Sequence, residues 1–336
     1  MNICQVLAGN LKQIGGLEQH VLNLSKGLSN SHNVTLVAHP NIKKHLPPRV
    51  NFSPLDLSKG RFHFGNLLRL KKIIKDGQFD VVHAHANKAC FLLALIKPFC
   101  RFNFVATLHG QKKKIWVYSR ADHVISVSRR IASNVTNKNL TVIPNGVTLP
   151  VVTHSLRRLC GIGEEEFLFC AIGRLEKVKG FDLLIRAFID VPAKLAIIGD
   201  GSESNALKRL IVETGVQEKV CLLGFLKNAS GYLWQADTAV ITSYREGFSY
   251  VFAESLLSDT PLISTDVADI SLTLNSQYIV PVGNSKKIAE KMLYVVENKK
   301  DVLKDFEGAF NYAKNEFVFS VMMKKIEDVY KQTVCP

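Results

Sequence analysis

No stretch of this chain stays apolar for the roughly 18–20 residues that a membrane-spanning helix requires. The longest candidate, Ala89 to Phe99, is interrupted by Lys97 and Pro98, which argues against an α-helical integral membrane protein. No charged leader precedes the first apolar segment. Met1-Asn2-Ile3-Cys4-Gln5-Val6-Leu7-Ala8 reads directly as a strand, so a cytoplasmic location is expected. The cysteines number seven, an odd count, and none is spaced C-x-x-C. A disulfide or zinc framework is therefore not expected, and the cysteines read as small hydrophobes in a reducing compartment. Internal repeats and low-complexity segments are absent. So are the G-x-G-x-x-G and P-loop signatures, which disfavours NAD and ATP as ligands. No aromatic-rich basic motif supports nucleic-acid binding.

Acidic residues are scarce in one half only. Residues 1–150 carry five (Glu18, Asp56, Asp76, Asp80, Asp122) against 21 lysines and arginines, an excess of sixteen positive charges. The remainder carries 22 bases and 24 acids, so the whole net charge of +14 resides in the first half. That asymmetry suits an acidic partner for the first half, such as an anionic membrane or glycolipid, although a solvated surface would look the same.

What is present is a well-buried globular chain. It has 336 residues, 47% of them hydrophobic, with a mean hydropathy of +0.09, long enough for two domains. Strands are expected at Asn2–Ala8, Val34–Ala38, Asp80–Ala84, Phe104–Leu108, His123–Val127 and Thr141–Ile143. Helices are expected between them at Leu17–Asn30, Phe64–Asp76, Lys88–Ile96 and Ser128–Val135. After the break at Pro144-Asn145-Gly146 a second series begins. Its strands are Phe167–Ile172, Ala193–Ile198, Val220–Leu223, Thr238–Thr242, Pro261–Ser264 and Tyr278–Val280. Its helices are Phe181–Phe188, Ser204–Thr214, Ala229–Gln235, Tyr250–Leu257 and Ser285–Glu297, and one or two more follow over Asp301–Gln332. Such alternation means parallel sheets with helices on both faces. The expected fold class is α/β, two Rossmann-like domains facing across a cleft: 1–150, 151–310, and a C-terminal helix, 311–336, able to pack back on the first.

The most informative motif lies where a strand gives way to a helix: Tyr244-Arg245-Glu246-Gly247-Phe248-Ser249-Tyr250-Val251-Phe252-Ala253-Glu254. Glu246 and Glu254 are eight positions apart, which places the second about two helical turns beyond the first. Both carboxylates can then address one ligand across a helix N-terminus, where free N–H groups attract a phosphate. Gly247 permits close approach to the backbone. A nucleotide-sugar, with a diphosphate between two polyols, meets all three features.

Gly173-Arg174-Leu175-Glu176-Lys177-Val178-Lys179-Gly180 also follows a strand and precedes a helix. Arg174 and Lys179 can converge there on a diphosphate. Gly199-Asp200-Gly201 reads equally as a simple turn or as a place where a base or ribose lies on the backbone. Gly15-Gly16 opens a helix, turning the chain or meeting a sugar or phosphate. His83 and His85 end one strand and His109 another. Two histidines alone do not complete a metal site, so metal binding is not expected. His109 reads either as structural or as a hydrogen-bonding group in the cleft.

Together these pieces resemble the GT4 family of retaining glycosyltransferases, which have the GT-B fold. The resemblance spans nearly the whole chain. It rests on Gly15-Gly16-Leu17-Glu18, Asp80-Val81-Val82-His83-Ala84-His85, Ala106-Thr107-Leu108-His109-Gly110 and Ile143-Pro144-Asn145-Gly146-Val147, then on Gly173-Arg174 with Lys179-Gly180, Gly199-Asp200-Gly201, Leu223-Gly224, and Glu246 with Glu254. It implies an N-terminal acceptor domain and a C-terminal nucleotide-sugar domain. Arg174 and Lys179 would hold the donor diphosphate and Glu254 the ribose. Glu246 would contact the donor sugar, with the Gly247-Phe248 backbone at the phosphate. Gly173, Gly199 and Gly201 would join the donor site, Gly15-Gly16 would approach donor phosphate or acceptor, and His109 would lie beside the transferred sugar.

The implied reaction is a metal-independent hexosyl transfer without a cofactor. A UDP-sugar is favoured over a GDP- or ADP-sugar. The acceptor would be a lipid-linked or anionic glycan such as lipopolysaccharide core, reached from the inner face of the membrane. A nucleotide-sugar 2-epimerase of the same fold, or a non-catalytic basic glycan- or nucleic-acid-binding protein, are the alternatives. Leu257-Ser258-Asp259-Thr260-Pro261 and Asp266-Val267-Ala268-Asp269-Ile270-Ser271 depart from the family's usual Ala-Cys-Gly-x-Pro and Gly-Gly-x-x-Glu. The basic, amphipathic run from Arg61 to Lys75, with Lys112-Lys113-Lys114, reads as a membrane-facing surface or an ordinary helix packed on the sheet.

Overall fold

The computed structural model describes every residue except 10–14, 61, 111–115 and 336. Arg61 and Lys112-Lys113-Lys114 thus lie outside the described residues. The chain divides into two compact units, Met1–Asn145 with Ser320–Pro336, and Gly146–Phe319.

The first unit is built on seven parallel strands: β1 (Asn2–Leu7), β2 (Asn33–Ala38), β3 (Asn51–Pro54), β4 (Val81–His85), β5 (Asn103–Leu108), β6 (His123–Ser126) and β7 (Leu140–Val142). Their order is β3-β2-β1-β4-β5-β6-β7. The central strands β1, β4 and β5 are buried almost throughout, as expected of a parallel sheet covered on both faces. Helices α1 (Gly16–Leu28), α2 (Phe64–Gly77), α3 (Ala86–Ile96) and α4 (Arg129–Ala132) form the crossovers. Strand β3 carries no sequence signal because Asn51-Phe52-Ser53-Pro54 has no apolar run. As an edge strand it pairs with β2 alone and tolerates a proline.

The second unit repeats the winding with six strands: β8 (Leu168–Ile172), β9 (Lys194–Ile198), β10 (Val220–Gly224), β11 (Thr238–Ile241), β12 (Leu262–Thr265) and β13 (Ile279–Val280), ordered β10-β9-β8-β11-β12-β13. Its helices are α5 (Leu156–Cys160), α6 (Phe181–Ala187), α7 (Ser204–Glu213), α8 (Tyr250–Leu257), α9 (Ser285–Glu297) and α10 (Lys299–Glu316). Segment Ala229–Gln235 is a 3-10 helix and not the expected α-helix. A Cβ on Gly231 would lie 2.5 Å from the Pro150 carbonyl, so this segment is pressed against residues 150–152.

After α10 comes Phe317, whose ring meets Phe248, Phe252 and Tyr312. Val318 bridges to Val147, and helix α11 (Phe319–Val334) follows. All but the first residue of α11 belongs to the first unit. No helix among the described residues is long and apolar enough to cross a membrane.

In both sheets the strand order reverses at one point, between β1 and β4 and between β8 and β11. Ligands of doubly wound sheets bind outside the carboxyl ends of the strands at such a switch point. That fixes where each unit's site is to be sought.

Candidate active site

In the second unit, the loops that follow β8 and β9 stack backbone on backbone. Gly173 N–H donates to the Ile198 carbonyl (3.0 Å) and Leu175 N–H to Asp200 (2.9 Å). Gly199 has φ of +154°, and a Cβ there would lie 1.8 Å from the Gly173 carbonyl oxygen. Gly201 is equally confined, 2.5 Å from the Leu175 carbonyl. These two glycines, expected beside a base or ribose, are thus required first for loop packing.

The same stacking carries Lys179 across the switch point. Tyr244 N–H donates to the Val178 carbonyl (2.8 Å) and the Thr242 hydroxyl to that of Lys179 (2.9 Å). Gly180, with φ of +65°, leaves no room for a side chain, since its Cβ would sit 2.4 Å from the Thr242 carbonyl. Lys179 Nζ consequently donates to Glu246 Oε1 at 2.6 Å, and the Ser243 hydroxyl donates to the same oxygen at 2.8 Å. The pair is partly open to solvent, at 21% and 13% side-chain exposure. Arg174, on the same loop, is exposed and makes no ion pair among the described residues. Two residues 67 apart in sequence therefore meet at the end of the sheet, whereas Arg174 and Lys179 are not shown in contact.

Gly247 and Phe248 lead into α8. Phe248 is wedged between Tyr250 and Phe317, and the Ser249 hydroxyl caps the helix by accepting from Phe252 N–H. Helix α8 begins at Tyr250, as expected from the sequence, so Glu254 lies in its second turn. Burial pushes the Glu254 carboxyl up to about 7, partly offset by a hydrogen bond from Ser230. The departure at Asp266–Ser271 keeps a left-handed turn, with buried Ala268 at φ of +50°.

The first unit's switch point is furnished differently. Gln5 of β1, His83 and His85 of β4 and Thr107 of β5 are all buried. Gln5 Nε2 donates to the Tyr330 hydroxyl (3.0 Å), which meets His83 Nδ1 (2.6 Å). His83 Nε2 in turn meets the Thr107 hydroxyl (2.7 Å). The Gln5 amide, so oriented, presents Oε1 to His85 Nε2 at 2.5 Å. His85 Nδ1 lies 3.4 Å from His109 Nε2, and buried His20 of α1 packs its ring against both His85 and His109.

Burial is the leading cause of depressed basicity at every ring. It pushes His20 to about 4 and His83 to about 3, and holds His85 and His109 well below the ordinary histidine value. Mutual repulsion adds to it at all but His20. These rings are therefore neutral at pH 7, and His109 offers hydrogen bonds and not charge. Gly15 caps α1, but its N–H is taken by the Glu18 carboxylate at 3.0 Å.

Sequence reasoning missed His20, Gln5 and Tyr330. Gln5 had a signal, being a lone polar residue inside the apolar run Ile3-Cys4-Gln5-Val6-Leu7. His20 had a fainter one, one turn into a helix that starts at Gly16. Tyr330 had none.

The arrangement sets an ion pair at the end of one doubly wound sheet and a neutral, hydrogen-bonded histidine group at the end of the other. The pattern described as "Glycosyltransferase Family 4" matches residues 14–149, and that described as "Glycosyl transferases group 1" matches residues 155–312. An uncharacterized glycosyltransferase of Methanocaldococcus jannaschii is 26% identical, covering 87% of this chain and 91% of its own. A phosphatidyl-myo-inositol mannosyltransferase of Mycobacterium leprae is 24% identical over 94% and 93%. Among solved structures, the Anabaena protein HepE in complex with UDP superposes with a TM-score of 0.85 at 18% identity, covering 99% of this chain and all of its own. The chain belongs to the GT4 family of GT-B glycosyltransferases and is an enzyme of that class.

Proposed function

We propose that the protein is a retaining hexosyltransferase that takes its sugar from a nucleotide-sugar, a UDP-sugar in the first instance, and passes it to a membrane-associated glycan or lipid-linked acceptor. The observation that carries this reading is the Lys179–Glu246 pair at the β8/β11 switch point, beside the start of α8. The bond from the sugar's anomeric carbon to the diphosphate breaks, charge develops on the leaving oxygen, and the Lys179 ammonium, the Arg174 guanidinium and the α8 N–H groups stabilise it. That set supplies the electrostatic help a divalent cation would otherwise give at the diphosphate. No side-chain nucleophile stands at the family's positions, so the new bond forms on the same face. The departing phosphate oxygen takes the acceptor hydroxyl's proton. Glu246 holds the sugar, Glu254 the ribose hydroxyls, and His109 hydrogen-bonds beside the transferred sugar.

Support for the donor comes from HepE, crystallised with UDP. Support for the acceptor comes from the mycobacterial relative, whose name specifies a phosphatidylinositol lipid, and from α2. That helix buries Asn66, Leu70 and Ile74 and exposes Phe64 and Leu68 beside Arg69, Lys72 and Lys75. This combination suits the inner, anionic face of a membrane.

A thermal-shift screen against UDP, GDP, ADP, CMP and their sugar conjugates, with and without EDTA, tests the donor. At 100 times its dissociation constant a ligand stabilises by about 2.7 kcal/mol, so one nucleotide should raise Tm selectively, by the same increment in EDTA. A flat response to all of them sinks the proposal. Sedimentation with vesicles tests the acceptor side: binding should need anionic lipid and fall with salt, and equal binding to neutral vesicles overturns that part.

A further inference from the structure

The strand register lines up a row of polar groups on one face of the first sheet. Gln5 of β1 pairs with His83 of β4, and His85 of β4 pairs with Thr107 of β5. Paired residues, and residues two apart on one strand, point to the same side. All four therefore share the face that receives Tyr330 of α11. The rings are neutral, and a neutral imidazole has one N–H and one bare nitrogen, so each contact dictates the next. The Gln5 amide donates from Nε2 to the Tyr330 hydroxyl (3.0 Å), which aims Oε1 at His85 Nε2 (2.5 Å). A carbonyl oxygen can only accept, so His85 carries its hydrogen on Nε2 and its Nδ1 is bare. The nitrogen that faces this bare Nδ1 at 3.4 Å, His109 Nε2, must then carry a hydrogen. In the other direction the Tyr330 hydroxyl, accepting from Gln5, donates to His83 Nδ1, and His83 Nε2–H donates to Thr107.

We infer that Gln5 and His85 are positioning residues that lock His109 as its Nε2–H tautomer, so that its Nδ1 stands bare as an acceptor for a hydroxyl of the transferred sugar. Of the six residues in this chain of hydrogen bonds, His109 alone is not buried, which makes it the open end. Its Nδ1 has no hydrogen-bond partner among the described residues. His20 packs edge-on against it, with ring centroids 4.9 Å apart, and the His20 Nε2 makes no hydrogen bond among the described residues that could reverse the order. The hydrogen bond made by one ring nitrogen thus sets the role of the other, and here that bond is traced back through His85 to the amide of Gln5. A bare nitrogen accepts from a hydroxyl and repels a carbonyl or carboxylate oxygen. The contact therefore selects a sugar with a free hydroxyl at that position over its oxidised or alkylated forms. This inference rests on the place given to His109 in the proposed reaction.

Long-range proton–nitrogen NMR of the whole protein, labelled with 15N in its histidine rings, provides the test at pH 7, because bare and protonated ring nitrogens resonate far apart. The signals of His85 and His109 are assigned by their loss in His85→Asn and His109→Asn. In the wild type both rings should carry hydrogen on Nε2 alone. Gln5→Leu removes the carbonyl that orders the chain, and His109 should then show both tautomers. A wild-type His109 with its hydrogen on Nδ1, or a Gln5→Leu spectrum with the same single tautomer, would overturn the inference. The wild-type spectrum decides the tautomer even where a variant fails to fold. Adding the UDP-sugar that the thermal-shift screen selects should move the bare Nδ1 signal, whereas UDP should leave it in place; an equal response to the two removes the sugar contact. With that UDP-sugar, Gln5→Leu should lower kcat/KM about 5- to 10-fold at unchanged UDP affinity, and full kcat/KM in a protein with mixed tautomers would reduce the chain to a structural role. Turnover with no UDP-sugar at all counts against the proposed reaction, while the ring spectrum is read without substrate, so the two failures are told apart.

Discussion

At the carboxyl ends of β8 and β11 the chain brings a lysine ammonium and a carboxylate into contact. At the corresponding ends of β4 and β5 it gathers histidines that burial keeps neutral. The charge of the surrounding sequence runs the opposite way. The first half carries the whole excess of positive charge, and the second is close to balanced. Net charge therefore does not foretell the character of a site. In the second half, the Lys179–Glu246 contact is set by loop geometry, with Gly180 pressed against the Thr242 carbonyl. One winding order thus yields an ion pair at one sheet end and a neutral, hydrogen-bonded histidine group at the other.

Removing the ammonium strikes this contrast hardest. Lys179→Ala should lower turnover by about 100-fold or more, since it removes charge stabilisation from the leaving diphosphate and leaves Glu246 unpaired. Steady-state kinetics with donor saturating would show it, and undiminished kcat would remove the lysine from the ionic site. The neutral site is tested by Tyr330→Phe. That change strips a partner from His83 Nδ1 and from Gln5 Nε2 and should cost about 1–3 kcal/mol in urea unfolding. An unchanged midpoint would mean that the buried network tolerates a gap.

The smallest effect concerns Glu254, whose carboxyl bridges the two kinds of chemistry. In the folded chain it keeps its proton up to about 7, against an ordinary value of 4.5. The native state therefore binds more protons than the unfolded chain in that window, and stability should fall as pH rises from about 4.5 to 7. Glu254→Gln should flatten that part of the Tm–pH curve. If the carboxylate accepts from ribose hydroxyls, UDP affinity should also climb through pH 7 in the wild type by more than in Glu254→Gln, where only the nucleotide's own phosphate titrates. Parallel curves would leave Glu254 without a ribose role.

The alternation of strands and helices was legible in the sequence because apolar runs such as Phe167–Ile172 and Ala193–Ile198 can only be interior strands. Edge strand β3 was not, for it needs no apolar pattern. The glycines at 180 and 199 were visible as turn residues, but their reason, the approach of Thr242 and Gly173 carbonyls, exists only in three dimensions. Glu246 and Lys179 were each legible as loop residues at strand ends, while their contact depends on how two loops stack. The histidine group was half legible. His83, His85 and His109 announced themselves at strand ends, but that His83 turns to Tyr330 and Thr107 while His20 packs on His85 and His109 is visible only in three dimensions. No local pattern encodes that.

The hydroxyl of Tyr330 is separated from its partners Gln5 and His83 by 325 and 247 positions of chain. During synthesis the strands carrying Gln5 and His83 leave the ribosome long before α11 does. At typical elongation speeds the delay is on the order of tens of seconds. For that interval the polar interior of the first unit lacks the hydroxyl that joins Gln5 to His83. The nascent protein thus cannot close the first unit until the second has been translated, a built-in timer that a C-terminal truncation would leave running.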